Sequence, residues 1–75
     1  MSETLAFKAF CFEAYRAEKG LSGMEAMTLW EKYHVLDYLG ACYSVLHTTG
    51  RAYIVEDIDE FIKVRETADS DSATN

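Results

Sequence analysis

Residues 35–46 form a segment that is apolar around more than half of a helix circumference. At about 100° per residue, its apolar arc contains Leu36, Leu39, Cys42, Tyr43 and Leu46 at the centre, with Tyr38, Ala41 and Val45 at the margins. The polar strip is narrow and contains Asp37, Gly40, Ser44 and His47. A helix with so wide an apolar surface has to pack on several sides. We therefore expect this third helix to lie at the centre of an all-α fold.

Two amphipathic segments precede this central helix. The first is expected from about Glu3 to Lys19, ahead of Gly20, a residue suited to the left-handed turn that ends many helices. Ser22 and Glu25 match the capping box that opens a second helix, which is expected to end near residues 33–34. The residues expected to face inward are Phe7, Phe10, Cys11, Ala14, Tyr15 and Ala17, then Ala26, Met27, Leu29, Trp30 and Tyr33.

The stretch after the central helix begins with a stop signal. Gly50 is expected to end the third helix, and the β-branched run at residues 52–55 follows at once. This run is too short to form a sheet, although its composition suits a single β-bridge with residues 33–35.

A fourth helix is expected to begin at Glu56 or Asp57 and to end near Glu66, with acidic residues in its first turn. The remaining residues are small, polar and acidic. The sequence thus predicts a compact four-helix domain over residues 1–66, with one short β-bridge at most, and a disordered acidic tail over residues 67–75.

Size and charge favour binding over catalysis. A chain of 75 residues forms one domain and has too little protein to enclose a deep pocket. Its 49% hydrophobic content indicates that most of it folds. The formal charge is −6 and the seven basic residues are scattered, which disfavours binding to a phosphate backbone. A basic protein surface is a better electrostatic match.

Nothing in the sequence predicts secretion or a membrane. No apolar stretch approaches eighteen residues, and no basic segment followed by a hydrophobic run opens the chain. Cys11 and Cys42 lie among apolar residues. We therefore expect a cytoplasmic protein with two reduced, buried thiols and no membrane partner.

Cys11, His34, Cys42 and His47 have the residue types of a zinc site but not its spacing. The directions of Cys42 and His47 differ by about 140° around a helix, which argues against a thiol nucleophile with a histidine base. We therefore expect no metal, no cofactor and no enzymatic activity, and interpret these residues as core thiols and surface or capping histidines.

Two sets of residues are candidates for partner binding. Glu56, Asp59 and Glu60 are expected to face outward on the fourth helix, either as a solvated acidic face or as a patch for a basic partner. Leu5 and Phe12 fall outside the apolar face of the first helix. They either pack on the fourth helix or the tail, or form a hydrophobic groove contact or a homodimer interface.

The second and third helices, joined by a short turn, also suggest a helix-turn-helix. A recognition helix presents basic and amide side chains to base edges, however. The third helix is expected to expose Asp37, Ser44 and His47, and no arginine or lysine lies between Lys32 and Arg51. Nucleic-acid binding is therefore disfavoured.

Four ordered blocks of the chain follow a known pattern: residues 21–25 (LSGME), 33–39 (YHVLDYL), 42–50 (CYSVLHTTG) and 53–62 (YIVEDIDEFI). They resemble the small bacterial domain-of-unknown-function 3791 family over about residues 5–65. Glycine is common in that family where His34 stands, which implies a positive φ at this position if the turn requires one. Histidine tolerates such a conformation better than most side chains.

Members of that family look like small companions encoded beside a larger protein that resembles an ADP-ribosyltransferase toxin. The resemblance implies an antitoxin-like or accessory role. Together with the acidic, non-catalytic character of the residues, it predicts a protein-interaction module that binds through Glu56, Asp59 and Glu60, with help from Leu5 and Phe12. The alternatives are a self-associating structural protein and, less favoured, a transcriptional regulator.

Overall fold

The computed structural model describes the backbone of residues 2–74 and the side chains of residues 2–68. Within residues 2–74 the chain forms five helices and no strand. They are α1 (Glu3–Lys19), α2 (Gly23–Tyr33), α3 (Val35–Ala41), α4 (Tyr43–Leu46) and α5 (Arg51–Thr74). The predicted all-α class is confirmed. No helix in this part of the chain is long and apolar enough to cross a membrane.

Local hydrogen bonds fix the limits of α1 and the start of α2. The Ser2 hydroxyl accepts the Leu5 N–H at 3.0 Å, and Gly20 ends α1 with a φ of 66°. Ser22 and Glu25 form the predicted capping box, in which each side chain accepts the other residue's backbone N–H. The predicted limits of these two segments are therefore confirmed.

His34 is the only non-glycine residue with a positive φ among the described residues, at φ 56° and ψ 42°. Its backbone N–H donates to the Glu31 carbonyl, which ends α2, and its own carbonyl accepts from Tyr38, which starts α3. The left-handed conformation implied for this position is confirmed. It turns the chain between the two helices without a loop.

The prediction of one continuous third helix is wrong. The helix breaks at Cys42, where φ is −102° and ψ is 11°, so that α3 and the single-turn α4 follow each other. Gly40, which weakens a helix interior, lies just before the break. The break leaves Val45 69% exposed while Leu46 stays buried. The apolar arc was too wide for one straight helix to bury.

The central position is shared between two helices. α1 packs against α2, α3 and α5, whereas α3 packs against α1, α2 and α4. Val35 and Leu39 of α3 are fully buried, as expected of a central element.

The predicted β-bridge is absent from the described residues, because residues 52–55 are helical and belong to α5. α5 therefore begins at Arg51 rather than at Glu56 or Asp57. Its buried residues Ile54, Ile58 and Ile62 recur every fourth position and form one stripe on the helix. Burial of this stripe outweighs the β-propensity of the short run, a case of tertiary context overriding local preference.

α5 also extends beyond its predicted end near Glu66, since its backbone continues to Thr74. The disorder expected for residues 67–75 stays a prediction, and the side chains from residue 69 onward lie outside the described residues.

The core differs from the predicted inward faces mainly on α1. Phe10 is 46% exposed and Ala17 is exposed, although both were expected inside. Phe12, expected outside the apolar face, is half-buried and packs edge-on against Trp30, with ring centroids 5.2 Å apart. The reason is that α2 and α3 cover one side of α1, which shifts its buried face toward Phe12. The buried core residues are Cys11, Ala14, Tyr15, Ala26, Trp30, Tyr33, Val35, Leu39, Leu46, Ile54, Val55, Ile58 and Ile62.

Candidate interaction surface

The structure brings Leu5 and Phe12 together in one open cavity between α1, α2 and α3. Its volume is about 330 Å³, and its other lining residues are Lys8, Ala9, Met27 and Leu36. We call this cavity the apolar groove. Leu5 is 56% exposed at its edge, whereas Phe12 is half-buried on its floor. Five of its six lining side chains are apolar, and an apolar lining suits contact with another apolar surface.

The helical spacing of α1 explains the composition of this groove. Leu5, Lys8, Ala9 and Phe12 occupy positions i, i+3, i+4 and i+7 and therefore lie on one side of the helix. The Lys8 ammonium extends toward α3, where a Cβ added at Gly40 would lie 3.2 Å from its Nζ. The aliphatic stem of Lys8 thus completes the groove while its charge stays at the edge.

The three acidic candidates on α5 have different environments. Asp59 accepts ion pairs from Lys19 at 3.0 Å and Lys63 at 3.1 Å, with a side chain only 23% exposed. Partial burial acts to raise the pKa of Asp59, but the hydrogen bonds and charges of the two lysines outweigh it and hold the pKa below its usual value of 3.8. Asp59 therefore links α5 to α1 and has little charge left for a partner.

Glu56 and Glu60 are exposed on α5 and are one helical turn apart. Glu60 also lines a second cavity, of about 270 Å³, with Tyr38, Asp57, Phe61, Val64 and Arg65. In that cavity the Tyr38 and Phe61 rings stack with centroids 4.0 Å apart, and the Tyr38 hydroxyl donates to Asp57 at 2.5 Å. Two of the three predicted acids are thus available on the surface, on a different helix from Leu5 and Phe12.

The cysteines and histidines lie in separate environments. Cys11 is fully buried in the core, and burial raises its thiol pKa to about 11, which disfavours the nucleophilic thiolate. His47 stacks on Tyr43, and its Nδ1 lies 2.7 Å from the Tyr43 carbonyl oxygen. Among residues 2–68 no three His, Cys, Asp or Glu side chains cluster as metal ligands.

The sequence interpretation missed the contribution of α2 and α3 to the groove. Met27 was assigned to the inward face of its helix and Leu36 to the core arc, but both are half-buried and line the groove. Met27 lies at the margin of the apolar face of α2, which was the available signal, whereas Leu36 was placed at the centre of its apolar arc and gave no such signal. Trp30 was expected to face inward and does, and its buried Nε1 has no acceptor among the described residues.

The comparisons with known proteins give a family and nothing more specific. No curated protein and no solved structure matches the chain. The family model described as Protein of unknown function (DUF3791) matches residues 6–65, which include α1 to α4 almost completely and the first half of α5. The chain therefore belongs to the DUF3791 family of proteins of unknown function.

Proposed function

We propose that this protein is a small non-catalytic protein-interaction module that binds a partner protein through the apolar groove. The observation that carries the proposal is the exposure of Leu5 beside the half-buried Phe12 in an almost wholly apolar cavity. Burying an exposed leucine side chain contributes about 1 to 2 kcal/mol to association. An apolar contact surrounded by polar residues is the usual form of an interaction site.

The acidic surface supports the same proposal by a different effect. With a formal charge of −6, the chain attracts a basic partner and raises the rate of encounter. Glu56 and Glu60 are the predicted acids that remain exposed and outside the described ion pairs. Their screened charges steer association more than they hold the complex together.

The partner we propose is an ADP-ribosyltransferase-type toxin encoded next to this protein in a bacterial genome, which makes the protein an antitoxin-like or accessory companion in the cytoplasm. The support for this part is the family resemblance of four sequence blocks, together with the acidic charge. A toxin that handles a dinucleotide often has a basic cleft, which suits an acidic companion.

The test is to co-express the tagged chain with the product of the neighbouring open reading frame and to measure the mass of the purified species by light scattering. We expect a stable complex of the two proteins, and relief of growth arrest if the neighbour is toxic. Elution of the chain as a free monomer at micromolar concentration, with no effect on growth, would contradict the proposal.

Self-association is the second candidate, favoured by a separate observation on α1. Phe10, which is 46% exposed, lines a cavity of about 490 Å³ between α1 and the start of α5, together with Ala9, Ala14, Ala17, Glu13, Arg16 and Arg51. A mass that rises to that of a dimer with concentration, in the absence of any other protein, would favour this candidate. Salt-sensitive retention on duplex DNA would instead favour a transcriptional regulator.

A further inference from the structure

At Leu36 the apolar groove continues into another cavity, which is acidic and differs from the cavity beside Glu60. This cavity has a volume of about 200 Å³ and is lined by Trp30, Glu31, His34, Leu36 and Asp37. Leu36 lines both cavities, and Met27 and Glu31 are one turn apart on α2. The two cavities therefore form successive parts of one surface, apolar at the Leu5 end and acidic at the Asp37 end.

The charges of this acidic end are largely unneutralised. Glu31 is exposed and takes part in none of the ion pairs among residues 2–68. Asp37 has one neighbour of potentially opposite charge, His34, whose Nδ1 lies 3.9 Å from the carboxylate. The other charged group on the groove is Lys8, whose ammonium extends toward Gly40 of α3. A ligand that covers both cavities meets two carboxylates at the Asp37 end.

A buried donor without an acceptor lies beside the same cavity. Trp30 is 1% exposed, and its Nε1 is the only buried side-chain nitrogen or oxygen without a hydrogen-bond partner in the described part of the chain. An unsatisfied buried donor costs about 1 to 3 kcal/mol. Because Nε1 has almost no accessible surface, a carbonyl oxygen or a bridging water removes that cost only if the Trp30 side chain shifts on binding.

From these three features we infer that the surface binds a peptide segment of the partner protein that carries large apolar side chains followed by a lysine or arginine. The apolar side chains occupy the groove between Leu5, Phe12 and Met27. The cation lies between Glu31 and Asp37, and a shift of the Trp30 side chain lets a backbone carbonyl of the peptide accept from its indole N–H. This inference rests on the proposed function and specifies the partner's chemistry.

The test uses the full chain as bait for a phage-displayed library of random 16-residue peptides without tryptophan. We expect enriched peptides to carry a lysine or arginine within a few residues of two large apolar side chains. Trp30 is the only tryptophan of the chain, so binding of a synthetic enriched peptide is followed by its fluorescence and by the NMR signal of its indole N–H. We expect that signal to move downfield on binding.

Two double variants with the same change in net charge locate the cation. Glu31→Gln with Asp37→Asn should weaken peptide binding by about fivefold to tenfold, the effect of losing two partly screened ion pairs. Glu18→Gln with Glu66→Gln, on α1 and α5, removes the same charge at positions that line neither cavity and should change it by less than about twofold. Both pairs are exposed, and far-UV circular dichroism verifies that each variant folds.

Three results would overturn the inference: no enriched peptide, enrichment without basic residues, or equal weakening by the two double variants. If the indole signal does not move on binding, the peptide does not contact Trp30 and that part of the inference is wrong. The outcomes also separate this inference from the proposed function. If a complex with the neighbouring protein forms and stays intact after the Glu31 and Asp37 changes, the proposed function is supported and the inference is overturned. If the peptide binds as expected but no complex with the neighbouring protein forms, the inference is supported and the named partner is overturned.

Discussion

Replacing His34 with glycine should stabilise the protein, because His34 holds a left-handed conformation at the junction of α2 and α3. This conformation costs an L-residue about 1 to 2 kcal/mol, with histidine toward the low end of that range. Glycine adopts it freely but loses about 0.5 to 1 kcal/mol more entropy on folding. The contact of His34 with Asp37 joins two mostly exposed side chains and contributes little.

The net expectation is a gain of about 0.5 kcal/mol for His34→Gly, or a rise in Tm of about 2 to 4 °C for a domain of this size. His34→Val should be destabilising by at least about 1 kcal/mol, since β-branched residues are poorly tolerated at positive φ. The free energy of unfolding is measured by urea denaturation and followed by far-UV circular dichroism.

The matched control is Glu31→Gly, an exposed position inside α2, where glycine should cost about 1 kcal/mol. The two glycine substitutions, three residues apart, should therefore have opposite signs. A loss of about 1 kcal/mol in both would show that residue 34 is an ordinary right-handed helical position. The separation of α2 from α3 would then be wrong.

Three further predictions concern the core, a helix cap and an ion pair. Ile58→Ala should lower the free energy of unfolding by about 3 kcal/mol, because the side chain is fully buried. Val64→Ala on the same helix should cost less than about 0.5 kcal/mol, because Val64 is exposed. Similar losses in the two variants would show that the buried stripe of α5 is assigned to the wrong face. Ser22→Ala should cost about 1 kcal/mol in a urea titration through loss of the capping box, and an unchanged midpoint would exclude that cap. Asp59→Asn should be destabilising at pH 7. Because the pKa of Asp59 is lowered in the folded chain, its contribution is complete above the ordinary value of 3.8 and is lost as the pH falls through the folded value. The difference between wild type and Asp59→Asn should therefore shrink in acid, and a difference that grows below pH 4 would contradict this ion-pair arrangement.

The sequence predicted those features that depend on a few neighbouring residues. The Gly20 stop and the Ser22 capping box are local hydrogen-bond arrangements, so spacing alone identified them. The apolar stripe of α5 was also readable, since Ile58 and Ile62 follow helical periodicity whatever they pack against.

Features that depend on packing between helices were not predictable from one sequence. The break at Cys42 follows from the need to distribute a wide apolar arc among several neighbours. Phe12 rather than Phe10 belongs to the buried face of α1, and this depends on which side of α1 the next helices cover. Helical periodicity gives the direction of each side chain but not the direction of the neighbouring helix.

The candidate surface shows the same division. Leu5 and Phe12 were singled out because they fall outside the apolar face, and they do line one groove. Its continuation toward Asp37 depends on α2 and α3 meeting at the left-handed His34, and no spacing along the chain indicates that meeting point. Asp59 was grouped with the free acids although Lys63, four residues further on, was a local candidate partner. Its other partner, Lys19, is 40 residues away in the sequence and was not predictable from spacing.

The most direct test of the interaction surface is the affinity of the complex with the neighbouring protein, measured by isothermal titration calorimetry for two matched variants. Leu5 and Val64 are almost equally exposed, at 56% and 59%, but Leu5 lies on the groove and Val64 on α5. We predict that Leu5→Asp raises the Kd at least tenfold, whereas Val64→Asp changes it less than about threefold. Equal effects of the two variants, or a larger effect of Val64→Asp, would contradict the assignment of partner binding to the groove.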